Sequence, residues 1–181
     1  RQRPLPQQPS RFVDDPVELG LYPSADPCRR NFSSFTAAPG YKAFAQLTAC
    51  GLAGCRAVAL WLPPGVAPDE QAVLDILTGT VSPTQHEDMF AVLEQMAAAH
   101  PSDPHWYLAW LGVDVTFQSS GLGSRLLKAC LDIIDATETA AYLETPNPRT
   151  VEFYRRHGFD VTGAAHAGTC PPLTFMYRSA R

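Results

Sequence analysis

The stretch that decides the fold is residues 106–133, which read WYLAWLGVDVTFQSSGLGSRLLKACLDI. Its first part, Trp106 to Val113, is almost entirely apolar and aromatic, as expected of a central strand covered on both faces. A turn around Asp114 to Ser120 leads into a predicted helix from about Gly121 to Ala136. Apolar residues recur along this helix at helical spacing, at Leu122, Leu126, Ala129, Cys130 and Ile133. The segment therefore predicts a buried strand, a glycine-containing turn and an amphipathic helix.

Strands and helices alternate on either side of this segment. Upstream, the pattern predicts a helix from Asp26 to Pro39-Gly40, a buried strand from Ala57 to Leu62, and helices from Asp69 to Leu77 and from Thr84 to Ala99, the last with Phe90, Leu93 and Met96 on one face. Downstream, it predicts a strand from Ala141 to Thr145, a helix from Asn147-Pro148 through Arg156 that Gly158 closes, and strands near Phe159 to Thr162 and Leu173 to Arg178. Such alternation is typical of an α/β or α+β layered fold.

Composition limits the kind of protein and its partners. The chain has 181 residues, which suits about one domain, and 14 basic against 18 acidic side chains leave a formal net charge of −4. This balance argues against nucleic acid as the main partner. The sequence has neither an apolar run of about 18 residues nor an initial signal-peptide pattern, so no association with a membrane is expected. Residues 1–11 are rich in Pro, Gln and Arg and predict a solvated tail, which leaves residues 12–181 as a single domain.

The five cysteines, Cys28, Cys50, Cys55, Cys130 and Cys170, are scattered along the chain and include no CxxC pair. Such spacing favours neither a disulfide framework nor a zinc site, and no metal is expected. Cys130 falls on the expected buried face of its helix, so we interpret it as a packed thiol.

The turn Gln118-Ser119-Ser120-Gly121-Leu122-Gly123-Ser124 has features of an anion site. The first amides of a helix lack intrahelical partners and lie at the positive end of its dipole, and glycines let a phosphate approach the backbone closely. An NTPase phosphate loop would need a Lys-Ser/Thr pair after the glycines, and a dinucleotide fingerprint would need GxGxxG; neither is present. From these residues alone, pyrophosphate binding and a plain glycine-containing helix start are equal alternatives.

A second cluster follows the next strand, with ETPNPR at residues 144–149 and FYRRHGF at residues 153–159. Together with the QxxGxG turn, an Asn followed seven residues later by Tyr and then by Gly-Phe resembles the Gcn5-related N-acetyltransferase (GNAT) family. Within it, the puromycin N-acetyltransferase subgroup is most similar over Trp106 to Val113, Tyr142 to Thr145, Asn147 to Arg149 and Pro171 to Met176. The resemblance is strong over residues 105–178 and weaker from Phe12 to Pro68. It implies a mixed, mostly antiparallel sheet with helices on both faces.

The resemblance implies roles for particular residues, with acetyl-CoA as co-substrate. Main-chain groups at a strand bulge, matched by Leu111, Gly112 and Val113, would bind the pantetheine arm and the acetyl carbonyl. The pyrophosphate would lie over the turn, where the matching residues are Gln118, Ser119, Ser120, Gly121, Leu122, Gly123 and Ser124. Asn147 would contact the cofactor or order its helix start, and Tyr154 would protonate the departing thiolate. Direct transfer through a tetrahedral intermediate would then acetylate an amine of a small molecule.

The motifs leave the general base open. Glu144, at the end of a buried strand, is the first candidate, and the alternative is a structural hydrogen bond to a neighbouring backbone group. His105, at the start of the central strand, is the second candidate, although a lone His there is more often a structural cap. Tyr154 has an alternative of its own, in which it only packs its helix against the sheet.

Two departures from the family keep a second interpretation open. The family has an edge strand and a helix ahead of the position matched by Phe12, where only the Pro-rich residues 1–11 stand, so the first strand is either missing or replaced by the tail. Ser119-Ser120 stands where the subgroup has Gly and a basic residue, which removes a phosphate-binding charge. A non-catalytic member that binds acyl-CoA or a protein partner, or a peptide or protein N-acetyltransferase, is therefore the alternative. We further expect a cytoplasmic protein that could form a homodimer.

Overall fold

The computed structural model of the protein describes residues 49–51 and 56–181. In these ranges the strands are β1 (Ala49–Gly51), β2 (Ala57–Leu62), β3 (His105–Val113), β4 (Ala140–Thr145), β5 (Asp160–Ala165) and β6 (Leu173–Arg178). The α-helices in the same ranges are α1 (Glu70–Thr80), α2 (His86–Ala99), α3 (Leu122–Asp135) and α4 (Pro148–Arg155). Every strand and helix predicted from Ala57 onward is therefore present, with ends shifted by a few residues. The predicted tail, the helix from Asp26 to Gly40 and the matched position at Phe12 lie outside the described residues.

The six strands form one sheet in the order β1-β2-β3-β4-β6-β5. Neighbouring strands are antiparallel except β3 and β4, which pair in parallel. A parallel pair needs a crossover connection, and α3 supplies it here. The sheet is mixed and mostly antiparallel, as predicted.

Helices cover both faces of the sheet, as predicted. On one face, which we call the α3 face, α3 and α4 pack with Trp61 and Leu143. On the other, the α2 face, Met96 of α2 packs with Tyr142. The neighbours Tyr142 and Leu143 belong to different layers because side chains alternate along a strand.

A β-bulge interrupts the regular pairing of β3. Leu60 of β2 pairs with Trp110, but the next residue, Trp61, pairs with Leu108. Ala109 is therefore the extra residue on β3. A bulge of this kind reverses which side chains of the strand face each layer.

The consequence is visible on the α3 face. Leu108 packs on this face before the bulge, and Leu111 and Val113 pack on it after the bulge. In a regular strand, residues at even and odd positions would lie on opposite faces. The expectation that Leu111, Gly112 and Val113 form the bulge is therefore wrong, since Gly112 pairs regularly with Val58. The bulge lies two residues earlier than Leu111 and sets the orientation of that segment.

β3 separates from β4 partway along its length. Their parallel pairing runs from His105, opposite Ala140, to Leu108, opposite Leu143, and then stops. Of the residues in β3, Leu108 alone is buried and the others are half-buried. Residues of both faces of this strand pack against core clusters, as predicted, but the cover is incomplete.

α3 buries one side against the sheet, and its fully buried residues are Leu126, Leu127, Cys130, Leu131 and Ile134. The predicted buried side is slightly wrong, because three of its residues are only half-buried: Leu122, Ala129 and Ile133. The residues that come directly after the last two, Cys130 and Ile134, are fully buried instead. Full burial of each leucine contributes about 1.5–3 kcal/mol. Cys130 is 3% exposed, which confirms a packed thiol.

The predicted buried face of α2 is wrong at one position. Leu93 and Met96 are half-buried, but Phe90 is 47% exposed and the buried residue of that turn is Met89. The ring of Phe90 instead contacts the ring of His86, with 6.2 Å between centroids. The covered face of α2 is formed at i, i+4, i+7 spacing by Met89, Leu93 and Met96. Phe90 lies outside this face, and its side chain is therefore exposed.

An ion pair between a buried arginine and a half-buried aspartate connects the last strand to α3. Arg178 of β6 is 4% exposed, and its Nη2 donates to Oδ2 of Asp135 at 2.8 Å. Its Nε donates to the carbonyl oxygen of His157 at 3.1 Å, just beyond α4. One side chain thus connects three elements, and nothing in the local sequence pattern predicted it.

Candidate active site

The separation of β3 from β4 leaves a fork in the sheet. Ala109 and Glu144 are the first residues of the two strands beyond the last parallel pair. Leu111, Gly112 and Val113 follow Ala109 and pair with β2 along their other edge. In residues 49–51 and 56–181, no strand pairs with the edge of this segment that faces the fork. Within these ranges, the main-chain groups along that edge of β3 are therefore not used in strand pairing.

The turn after β3 enters α3 with a left-handed backbone. Gly121 is the N-cap of α3 with φ +82°, and Ser119 has φ +60°. This conformation is easy for glycine and uncommon for serine. The amide of Arg125 makes the first bond of the helix, to the carbonyl of Gly121 at 3.0 Å. The amides of residues 122–124 precede it and have no carbonyl within the helix, so they can bind an anion.

Gly123 allows the start of α3 to lie close to its neighbours. A Cβ there would be 3.2 Å from Cγ2 of Val113 and 3.8 Å from Cζ of Phe153. The first distance is tighter than ordinary van der Waals contact, so a larger residue would push α3 away from β3. At Gly121 the same position is open, and glycine there serves the backbone angle alone.

Two polar side chains of the turn bond to nearby carbonyls. Nε2 of Gln118 donates to the carbonyl of Val113 at 3.3 Å. The hydroxyl of Ser120 donates to the carbonyl of Phe117. An anion at this turn would therefore be bound mainly by backbone amides.

Ser124 links the start of α3 to the end of α4. Its hydroxyl lies 2.8 Å from Nε2 of His157, and Nδ1 of His157 lies 2.8 Å from the carbonyl oxygen of Phe153. A carbonyl only accepts, so Nδ1 carries the proton and Nε2 of the neutral ring accepts from Ser124. The sequence analysis did not predict this role for His157.

Tyr154 lies on α4 and faces the α3 face of the sheet. It is 8% exposed, and its ring packs edge-to-face with Phe153 and Phe159 at centroid distances of 5.1 and 6.0 Å. Burial raises the pKa of Tyr154 to about 12. The phenol therefore keeps its proton at neutral pH and can donate a hydrogen bond.

Asn147 is the N-cap of α4. Its Oδ1 accepts a hydrogen bond from the amide of Arg149 at 3.1 Å, and Pro148 occupies the first helical position. This geometry supports the alternative in which Asn147 orders the helix start.

Glu144 lies on the opposite, α2 face, and its side chain is only 6% exposed. Its Oε2 accepts a hydrogen bond from the hydroxyl of Tyr107 at 2.6 Å, and its Oε1 lies 3.7 Å from Nδ1 of His100. Burial and the nearby Glu144 charge raise the pKa of Tyr107 well above its usual value, so Tyr107 remains a donor. Glu144 thus has a structural hydrogen bond, to a side chain rather than to the backbone, and a second oxygen directed towards His100.

Two histidines extend away from Glu144. Nε2 of His100 lies 3.1 Å from Nε2 of His105, and Nδ1 of His105 donates to the carbonyl of Asp103 at 2.7 Å. Burial is the main cause of a lowered pKa at His105, so its ring is neutral at pH 7. Nε2 of a neutral His105 accepts, and Nε2 of His100 is the donor between them.

A cavity of about 630 Å³ lies on the α2 face beside the fork. Its described polar residues are Glu70, His100, Tyr107 and Glu144. Its other described lining residues are all apolar: Ala67, Pro68, Val73, Leu74, Leu77, Leu93, Met96, Ala97 and Ala109. Residues 118–124 are not among the described residues that line it, so the cavity and the turn are separate parts of the candidate site.

The structure divides the residues predicted from the sequence into two groups. The turn and Tyr154 belong to the α3 side of the fork, while Glu144 and His105 belong to the α2 side. Leu111 to Val113 run along the fork between them. Among the described residues, no group of three or more side chains is placed to hold a metal ion.

Sequence reasoning missed His100 and Tyr107. His100 precedes Pro101, and such a pair between a predicted helix and a predicted strand is typical of a simple break. Tyr107 is one of several aromatic residues in β3, and its partner lies 37 positions away. The signal in the sequence was the presence of two histidines, His100 and His105, on either side of the break.

Comparison with known proteins identifies the class. Residues 70–159 match the acetyltransferase (GNAT) family model. A structure described as histone acetyltransferase HPA2 and related acetyltransferase, from Corynebacterium glutamicum, is 22% identical with a TM-score of 0.53, covering 94% of this chain and 81% of that chain. A mosquito arylalkylamine N-acetyltransferase like 5b is 12% identical with a TM-score of 0.49, covering 76% and 78%. At 22% identity the likeness to the structure from Corynebacterium glutamicum is one of fold.

The matched segment runs from the start of α1 to the end of α4 and includes the fork and the glycine turn, so the protein is an acetyltransferase in class. The match to the acetyltransferase (GNAT) family model covers residues 70–159, about half of the chain, and the fold is shared with the structure from Corynebacterium glutamicum. Among the helices that the structure describes, none combines the length and the apolar character needed to cross a membrane.

Proposed function

We propose that the protein transfers the acetyl group of acetyl-CoA directly to an amine of a small molecule. The fork carries this proposal, because it lies between the anion-binding start of α3 and a buried carboxylate, Glu144. The similarity of Tyr142 to Thr145 and of Asn147 to Arg149 to the puromycin N-acetyltransferase subgroup supports a small-molecule acceptor.

The residues at the fork fit acetyl-CoA, which supplies the activated acetyl group when bound. The amides of residues 122–124 would bind the pyrophosphate, and the open space beside Gly121 leaves room for it. The main chain of Leu111, Gly112 and Val113 would hold the pantetheine arm and donate to the acetyl carbonyl. Donors already in place at that carbonyl stabilise the negative charge that develops on its oxygen during attack.

Glu144 would accept the proton that the amine loses. Tyr107 occupies Oε2, which leaves Oε1 as the basic atom on the side of the cavity. Nδ1 of His100 lies 3.7 Å from Oε1, which is longer than a hydrogen bond, so the proton would reach it through a bridging water or after a small movement of the ring. The contact between His100 and His105 would continue the path away from Glu144. His105 is then part of a proton path rather than the base itself.

Tyr154 would stabilise the departing sulfur from the α3 side. Its pKa of about 12 lies above that of an ordinary thiol, which is about 8.5, so complete proton transfer to sulfur is uphill. A hydrogen bond from the phenol to the thiolate is therefore its main contribution. This keeps Tyr154 in the catalytic role, with donation more important than acidity.

A protein that binds acyl-CoA without turnover is the second candidate, and the turn carries it. Ser119-Ser120 replaces the basic residue of the subgroup, and the hydroxyl of Ser120 bonds to the carbonyl of Phe117. Loss of one phosphate contact of a charged side chain costs about 1.5–3 kcal/mol. Binding would then be weaker than in the subgroup, while backbone donation persists.

Calorimetric titration of the full chain with acetyl-CoA, followed by an assay of amine-dependent thiol release, separates these candidates. We expect saturable micromolar binding, weaker binding of 3′-dephospho-CoA, and thiol release when an amine is added. The Gly123→Val variant should lose binding because α3 must move, whereas Gly79→Ala on α1 should retain it. Binding of acetyl-CoA without thiol release would favour the second candidate. Thiol release with peptides but with no small-molecule amine would show that the acceptor is a peptide or protein.

Several sequence predictions join this proposal without a structural test. They are a single domain over residues 12–181, a cytoplasmic location, the ability to form a homodimer, and an acceptor that is not nucleic acid.

A further inference from the structure

We infer that the acceptor is an amine carrying a bulky apolar group, bound in the cavity on the α2 face. This inference rests on the proposed function and adds the substrate class to it. Three features carry the inference: the size of the cavity, the chemistry of its described walls, and the carboxylate of Glu144 at the fork.

The cavity is large and mainly apolar. At about 630 Å³ it falls within the range of about 300–1,000 Å³ that is typical of sites for drug-sized ligands. Its walls include Val73, Leu74 and Leu77 of α1 and Leu93 and Met96 of α2. A small polar amine would leave this surface in contact with water, whereas an apolar group would displace that water with a gain in affinity.

The charge in the cavity selects a cation. The side chain of Glu144 is 6% exposed, and a positively charged partner would stabilise a carboxylate buried to this extent. Among the described residues lining the cavity, Glu70 adds a second carboxylate and none is Lys or Arg. His100 faces Oε1 at 3.7 Å, which leaves room for an ammonium group to compete for the same oxygen. The cavity therefore suits an apolar molecule with one positive end.

A long acyl chain on the donor is the other source of apolar surface, and the geometry disfavours it. Such a chain would place hydrocarbon against Oε1 of Glu144, where it offers no charge and no hydrogen-bond donor. An amine places its charged end at Glu144 and its apolar part along α1 and α2. The acceptor therefore fits the cavity better than the acyl group of the donor.

A series of primary n-alkylamines tests the apolar walls. With acetyl-CoA as donor, kcat/KM should rise about fourfold for each added methylene from ethylamine to hexylamine, which corresponds to the usual transfer free energy of one methylene. Ethanolamine and spermidine should be poor acceptors. The Leu93→Trp variant should abolish the gain for the longer amines, while Phe90→Trp on the exposed side of the same helix should leave the whole series unchanged.

A binding experiment tests the charge without relying on turnover. In the presence of CoA, 2-phenylethylamine should bind at least tenfold more tightly than 2-phenylethanol, which has nearly the same shape and no charge. In the Glu144→Gln variant this ratio should fall towards one, with little change in the affinity for the alcohol. Equal affinities for both ligands in the unchanged protein would overturn the assignment of Glu144 as the ammonium partner.

The outcomes separate this inference from the proposed function. Thiol release with ethanolamine or spermidine, and a flat response to alkylamine length, would overturn the apolar acceptor while leaving acetyl transfer in place. The cavity would belong to the acyl chain of the donor if octanoyl-CoA were turned over faster than acetyl-CoA and if this difference disappeared in Leu93→Trp. Failure of every amine to release thiol would instead contradict the proposed function.

Discussion

At the scale of single residues, the contacts of its two oxygens define what Glu144 can do. Tyr107 holds Oε2 at 2.6 Å, and Oε1 is left towards His100 and the cavity. The sequence placed Glu144 correctly at the end of β4, because the apolar run before it predicts a buried strand. It could not identify Tyr107 as the partner, since that contact depends on the register between β3 and β4 rather than on any local pattern.

The role of Tyr154 is open to a direct test. Tyr154→Phe should lower kcat by about 10²-fold or more, since positioned proton donors contribute about 10²–10⁴-fold. The pKa of about 12 also predicts that Tyr154 does not titrate below pH 10, so it should cause no alkaline fall in kcat between pH 7 and 10. Rates of thiol release across this range, for both proteins, check the prediction. An alkaline fall that disappears in Tyr154→Phe would show that the phenol titrates within the range.

At the scale of elements, the bulge at Ala109 and the fork that follows it shape the site. The resemblance had placed the bulge at Gly112, and glycine is a reasonable residue there. In the structure Gly112 pairs regularly with Val58, and the indole of Trp110 covers the place where its Cβ would lie. The glycine at this position therefore accommodates a large neighbour two residues away. Only the pairing between strands distinguishes the two explanations.

The contact between Gly112 and Trp110 predicts coupled substitutions. Gly112→Ala should destabilise the protein by about 1–3 kcal/mol, because the new methyl group displaces the indole. In the double variant with Trp110→Ala, the combined loss should be smaller than the sum of the two single losses. Urea unfolding of the four proteins measures both quantities. Strict additivity would mean that the indole does not restrict this position.

At the scale of the whole molecule, the order of strands and helices was largely predictable and the contacts that join them were not. Apolar runs, helical spacing of apolar residues, and Gly or Pro at the ends predicted each element from Ala57 onward. Arg178 looked like an ordinary charged residue at the end of a strand. Its buried pairing with Asp135 joins residues 43 positions apart, and sequence periodicity carries no information on such pairs.

The ion pair predicts a large loss of stability when Asp135 is replaced and a small loss when Asp132, on the same helix, is replaced. Asp135→Asn should cost about 3 kcal/mol, because it leaves the charge of Arg178 buried without a partner. Asp132→Asn is the matched control on the same helix, since Asp132 pairs with Lys128 at the exposed surface. That control should cost less than about 1 kcal/mol. Similar losses in both variants, measured by urea unfolding, would contradict the special role of Arg178.

Low pH should reduce the stability that the ion pair between Arg178 and Asp135 contributes. Hydrogen bonding to Arg178 lowers the pKa of Asp135 below its ordinary value of 3.8. A carboxyl group whose pKa is lower in the folded protein than in the unfolded chain stabilises the fold. Its whole contribution is present when the pH is above the unfolded pKa, and the contribution is lost as the pH falls through the folded pKa. Between pH 5 and pH 3, the unchanged protein should therefore lose more free energy of unfolding than Asp135→Asn. Parallel losses in the two proteins would show that the pair does not contribute.

The central claim is that this fork moves an acetyl group from acetyl-CoA to an amine, and one assay tests it most directly. The full chain is incubated with acetyl-CoA and 2-phenylethylamine while free thiol and the N-acetylated amine are measured together, the latter by mass spectrometry. We predict one acetylated amine for each thiol released, with both lost in Glu144→Gln. Thiol release without acetylated amine, or no product at saturating acetyl-CoA with any amine tested, would contradict the claim.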